Sequence, residues 1–166
     1  MPGTRRTFLK EKEARILLAQ ASEKLKASIE QLIKTTANVE QVETEHMTIY
    51  LINAKPLLAR VEGELVPTLT FSEYFAVAPR VVVDMGAVPH VCKGASVMRP
   101  GIRRFEGSFE KGDFVAVVDE RHGKPLAVVK ALYSREEAEK ATQGAMAKNA
   151  HFVGDKLWDS LKRLVA

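Results

Sequence analysis

The stretch from Val81 to Ile102 leaves the chain little choice of local structure. A β-branched run, Val81-Val82-Val83, stops at Asp84, a residue suited to capping a helix. A short segment carrying Gly86-Ala87 follows. A second pair, Gly94-Ala95, opens another apolar run that ends at Pro100-Gly101. The order predicts strand, short helix, strand, turn. Glycine, lacking a Cβ, lets a helix press on a strand or lets a ligand's backbone come close. The window from Lys93 to Arg104 also holds Lys93, Arg99, Arg103 and Arg104 without one acid. A solvated basic loop is the plain reading of such a window alone. Beside glycine and a Pro-Gly turn, exposed main chain next to positive charge suits a phosphate backbone.

Composition narrows the classes. The 166 residues are 46% hydrophobic and 28% charged, with a net charge of +4, which is an ordinary globular balance that favours anionic partners. No apolar run approaches the ~20 residues of a membrane span, and the Arg-rich N-terminus lacks a signal peptide's apolar region. We therefore expect a cytoplasmic protein without a membrane partner. The single cysteine, Cys92, can form neither an internal disulfide nor a cysteine-based metal site.

Upstream, Ala14, Leu18, Ala21, Leu25, Ile29 and Leu32 recur at intervals of three and four, predicting one amphipathic helix from about Lys12 to Lys34. Thr7 to Leu9 reads either as its start or as a short strand. After a break at Thr35 to Asn38, strands are predicted at Val39–Val42, Met47–Ile52 and Leu57–Val61, with tight turns at Asn53-Ala54-Lys55 and Glu62-Gly63-Glu64. Phe71 to Phe75 reads as a helical turn, and Ala78-Pro79-Arg80 as a domain boundary. Downstream, Gly112-Asp113 turns into Phe114–Val118, a strand apolar on both faces and so central. Asp119 to Pro125 is a polar hairpin loop, and Leu126–Leu132 the returning strand. Ser134 with Glu137 makes a capping box for a helix ending near Gly144. Asn149–Val153 is a last strand, and Asp155 caps a final helix with Leu157, Trp158, Leu161 and Leu164 inward. Each half is small enough that its own core is marginal, so we expect the two to pack as one rigid body.

These residues resemble a PUA domain, the RNA-binding module named after pseudouridine synthases and archaeosine transglycosylases. The two Gly-Ala pairs, Met98-Arg99-Pro100-Gly101-Ile102 and the Gly112-Asp113 turn fall in its order. Pro67-Thr68-Leu69, the aromatic turn, Pro79, Gly144, Asn149, His151, Asp155, Leu157 and Trp158 extend the likeness to the malignant T-cell-amplified-sequence family of translation proteins. The resemblance implies an α+β chain: a small α/β pre-PUA domain over 1–79, packed on a PUA pseudobarrel of mixed strands with short helices over 80–166. It implies no catalysis and no cofactor. In eukaryotic members it implies a role in translation initiation and reinitiation at the small ribosomal subunit, near the acceptor end of tRNA, with a second translation protein as partner. Carried over by motif, the RNA surface falls on Lys93, Gly94, Ala95, Ser96, Val97, Met98, Arg99, Pro100 and Gly101; Arg103 and Arg104 join it on charge alone.

The chemistry agrees with the transfer. A-form RNA hides its major groove, so proteins use main-chain and small polar contacts or trap single-stranded ends. Gly94 and Ala95 permit that approach, Ser96 can meet a hydroxyl, and Lys93 or Arg99 can neutralise phosphate. Met98 either stacks on a base or packs inside. Trp158 fits the core of an amphipathic helix better than an RNA platform. His90 and Cys92, two apart on a short helix, point to different sides and make a poor metal pair. His122 reads as solvated, and Asp84 as a cap. With no phosphate-binding Gly-rich loop, nucleophile elbow or Rossmann fingerprint, no nucleophile and base pair can be assembled. The expected partner is structured RNA, tRNA or rRNA, with no DNA specificity. The alternative is a guiding accessory subunit of a tRNA or rRNA modification enzyme.

Overall fold

Two tight turns dictate the first sheet. Asn53 and Ala54 both have positive φ (52° and 69°), as do Glu62 and Gly63 (51° and 80°). This is the two-residue hairpin geometry whose twist matches that of the strands it joins. The computed structural model describes residues 3–34 and 38–165. It resolves into two compact units, Met1–Tyr74 with Ser160–Ala166, and Phe75–Asp159.

The first unit begins with β1 (Arg5–Phe8), so the Thr7 segment is a strand. Two helices follow, α1 (Glu11–Leu25) and α2 (Ile29–Ile33). The continuous helix expected from Lys12 to Lys34 is thus two. Lys26 turns left-handed at φ 52°, and Ser28 restarts the helix by accepting the Gln31 amide. The stripe could not reveal this break because Ile29 stays in phase with Leu25. The strands β2 (Val39–Glu43), β3 (Met47–Ile52), β4 (Lys55–Val61) and β5 (Glu64–Pro67) form an antiparallel meander in the order β1-β2-β3-β4-β5. Ala14, Leu17, Leu18, Ala21 and Leu25 form the buried stripe of α1. The turn α3 (Ser72–Phe75) follows. Residues 35–37 of the expected break lie outside the described residues.

The second unit is a sheet that curls on itself. Its elements are β6 (Arg80–Val83), α4 (Val88–Val91), β7 (Val97–Met98), β8 (Ile102–Glu106), β9 (Phe114–Asp119), β10 (Pro125–Ala131), α5 (Arg135–Lys140) and β11 (Ala145–Phe152), while α6 (Lys156–Val165) starts in this unit and ends in the first. The strand order is β7-β11-β10-β9-β6-β8. The edge strands β7 and β8 are joined by a three-residue 3₁₀ turn, Arg99–Gly101, which brings the two edges round to each other. Pairing is antiparallel except between β6 and β9. As expected of a central strand, all six residues of β9 are buried. Val81, Val83, Val117, Val129, Val97 and Ile102 fill the interior. Each fully buried valine contributes about 1.5 to 2 kcal/mol.

Two boundaries in the second unit differ from expectation by about four residues. α5 stops at Lys140 rather than near Gly144, because Ala141 is already extended. β11 starts at Ala145 rather than Asn149, where Gly144, at φ 91°, gives its carbonyl to the Arg99 amide at 2.8 Å. In α6 the Asp155 carboxylate accepts the Trp158 amide at 2.7 Å, as a cap should. Leu157 and Leu161 are buried, whereas Trp158 and Leu164 are half-buried.

Candidate nucleic-acid interface

A polar strand end starts the site. Where β6 stops, Asp84 Oδ1 accepts the Ala87 amide at 2.8 Å and folds Asp84–Ala87 into a turn. The α4 helix begins one turn later, with Ala87 at its N-cap and no side-chain cap, so Asp84 serves the turn rather than the helix itself. After α4 the chain winds back: the His90 carbonyl accepts the amides of both Lys93 and Ala95. Asn149 of β11 clamps this bend, donating Nδ2–H to the Val91 carbonyl at 3.0 Å and the Ala95 carbonyl at 3.2 Å. Its own Oδ1 is buried without a partner.

Between α4, the following loop and the 3₁₀ turn lies a pocket of about 480 Å³. Asp84, Ala87, His90, Val91, Ala95, Ser96, Val97, Met98, Pro100 and Gly101 line it. Six of the eleven residues expected at an RNA surface are therefore its walls. Met98 is 49% exposed, so the alternative that it packs inside falls away; Val97, its neighbour on β7, supplies the core contact instead. Gly101 lets the 3₁₀ turn sit close to Ala87, since an added Cβ would stand 3.1 Å from the Ala87 Cβ. Exposed Lys93 and half-buried Gly94 lie in the bend after α4. Gly94 has φ +90°, and its α-carbon faces the ring of Phe152.

The arginines divide. Arg99 is turned inward: Nε donates to the Ala138 carbonyl at 2.9 Å, Nη1 to that of Ile102 and Nη2 to that of Glu139, with the guanidinium 5.2 Å from the Phe105 ring centroid. It ties the 3₁₀ turn to the end of α5. Arg103 is the extra residue of a β-bulge, since Val82 pairs Arg104 while Val83 pairs Ile102. The bulge aims it at Glu120, 3.4 Å away. Arg104 pairs with Glu106 at 2.8 Å on β8 and is not a wall of the pocket.

Residues 79–153 match the PUA domain family, and residues 5–74 match a domain of unknown function (DUF1947). The chain is 33% identical over 156 residues to an uncharacterized protein of Methanocaldococcus jannaschii, covering 93% of this chain and 96% of that one. It is 29% identical to translation machinery-associated protein 20 of Schizosaccharomyces pombe (87% and 83% covered). It is 32% identical to malignant T-cell-amplified sequence 1 of Danio rerio (69% and 66% covered). The chain belongs to the malignant T-cell-amplified-sequence family. Among solved structures, a PUA domain protein of Aeropyrum pernix, crystallised with tartrate, aligns with a TM-score of 0.83 at 27% identity, covering 98% of this chain and 95% of that one. A hypothetical protein of Pyrococcus horikoshii aligns at 0.79 and 31% identity, covering 95% and 99%.

As a member of that family the chain carries a PUA unit whose pocket walls include two residues that charge and motif passed over. Asp84 reads as a cap and His90 as half of a poor metal pair, yet both line the pocket. No sequence signal marked His90, because a four-residue helix shows too little of its period to say which side faces a groove. Asn149 carried a signal only as part of the resemblance; its clamp spans more than fifty residues. Among the described residues no group of three His, Cys, Asp or Glu could hold a metal, and no helix is long and apolar enough to cross a membrane.

Proposed function

We propose that this chain is a non-catalytic RNA-binding protein that acts in translation, taking structured RNA, tRNA or rRNA, at the small ribosomal subunit, with a second translation protein as partner. The observation that carries the reading is the pocket of about 480 Å³. Its size lies in the usual range for small-ligand sites, which suits one unstacked nucleotide. Met98 offers a polarizable thioether to a base face, while Asp84, His90 and Ser96 offer polar atoms to its edge. Lys93 and Ala95 stand exposed in the adjoining bend, and half-buried Ser96 offers its hydroxyl to a sugar or phosphate. The names of the relatives, translation machinery-associated protein 20 among them, support the setting.

The test is a titration of labelled tRNA and of small-subunit rRNA fragments across a range of salt. Two to four phosphate contacts give a slope of log K against log salt of roughly −1.4 to −3.6. An absence of binding to either RNA at low salt would sink the proposal. Co-purification with small ribosomal subunits supports the translation role, whereas co-purification with a modification enzyme favours an accessory subunit instead.

A further inference from the structure

At the end of the barrel where β6 meets the pocket, the β9–β10 connection forms a basic tip. Asp119 pairs with Val83, the Glu120 amide donates to the Val83 carbonyl at 3.0 Å, and the next residue on that strand, Asp84, is a pocket wall. Arg103 joins the tip through its ion pair with Glu120. The backbone here is fixed without a ligand. The Asp119 carboxylate accepts the amides of Arg121, at 2.9 Å, and of His122, and the Asp119 carbonyl accepts that of Gly123 at 3.1 Å.

Arg103 offsets Glu120, which leaves Arg121 and Lys124 on the tip with Asp119 and, at the rim, Asp84. All three nearby carboxylates are engaged: Asp84 by the Ala87 amide, Asp119 by the turn amides, and Glu120 by Arg103. The side chains of Arg121 and Lys124 are exposed, and no hydrogen bond or ion pair among the described residues holds either one. Two exposed cations free of ion pairs, on a turn whose neighbouring carboxylates point at backbone amides, make a favourable place for an anion. Arg121 can grip two phosphate oxygens at once, and Lys124 acts as a point charge.

We propose that the Glu120–Lys124 tip is a second phosphate-binding arm, in which Arg121 and Lys124 take backbone phosphates of the RNA strand leaving the pocket. This rests on the RNA-binding reading above. A nucleotide in the pocket commits its strand to cross the rim, and the rim beside Asp84 is where these cations stand.

The experiment titrates the full chain and the double variant R121A/K124A with a labelled stem–loop RNA ending in a single-stranded 3′ tail, at several salt concentrations. The expected result is roughly tenfold weaker binding and a salt slope reduced by about 1.4 to 1.8, two contacts' worth, with an unchanged melting temperature. The charge-retaining variant R121K/K124R should keep the parent's slope. A double variant that matches a binding-competent parent in affinity and slope overturns the arm while the pocket reading stands. A parent that binds no RNA at low salt overturns the pocket reading, and the arm with it.

Discussion

Gly94 lies against Phe152 so closely that a Cβ on it would stand 2.9 Å from the ring's Cε1. The glycine also has φ +90°, where any other residue is strained. From sequence, Gly94 reads as a residue that admits an RNA backbone. Positive φ and the ring contact make it a requirement of the fold. Gly94→Ala should cost about 2 to 4 kcal/mol in urea denaturation, from backbone strain and ring displacement together. A loss below about 0.5 kcal/mol would contradict this account.

Met98 behaves oppositely. Half its surface is open, so Met98→Ala removes little buried area and should shift stability by less than about 0.5 kcal/mol. If its thioether meets a base, RNA affinity should fall by roughly two- to tenfold, the range of sulfur–aromatic contacts. Paired melting and binding measurements decide it; a variant with unaltered affinity would exclude Met98 from the contact.

Ala54 occupies a left-handed position, φ 69°, in the β3–β4 turn. Glycine adopts that conformation without steric penalty but gives up more freedom on folding. The balance predicts that Ala54→Gly stabilises the chain by about 0.5 to 1 kcal/mol, read as a higher urea midpoint with unchanged slope. A lower midpoint would mean the turn relaxes in some other way.

Acid should find Asp155. Burial alone would push its pKa up. The hydrogen bond and charge of His151, with Nδ1 2.9 Å from Oδ2, and the amides of Trp158 and Phe152 outweigh this and hold the carboxyl below its ordinary value. Because the folded value is the lower one, the unfolded chain protonates first. The stabilisation is therefore complete above the ordinary carboxylate range and is lost as pH falls through the folded-state value. Asp155→Asn should cost about 1 to 2 kcal/mol at pH 7, with the gap to the parent narrowing below about pH 4. A gap that widens on acidification would reverse the assignment.

What the sequence made legible was local. Valines ending at Asp84, the glycine pairs and the Ser134–Glu137 box mark their elements because each acts within a few residues. The α1–α2 break stayed hidden since Lys26 and Ser28 leave the apolar phase intact. The bulge at Arg103 is one extra residue and leaves no mark on composition. Arg99 could be read only as a cation, because its partners Ala138 and Glu139 lie some forty residues on. For the pocket, the sequence supplied most walls but not the opposite fates of Val97 and Met98, which the pairing of β7 with β11 decides.

That pairing has a consequence for a chain under synthesis. Everything that lines the pocket lies between Asp84 and Gly101, yet β7 is hydrogen-bonded to β11, which ends at Phe152. Phe152 also backs Gly94, and Asn149 holds the bend at Ala95. A nascent chain carries the letters of the pocket long before it carries the pocket, because such distant contacts wait for the later strand to emerge. A pocket completed so late takes its shape only once β11 has been made.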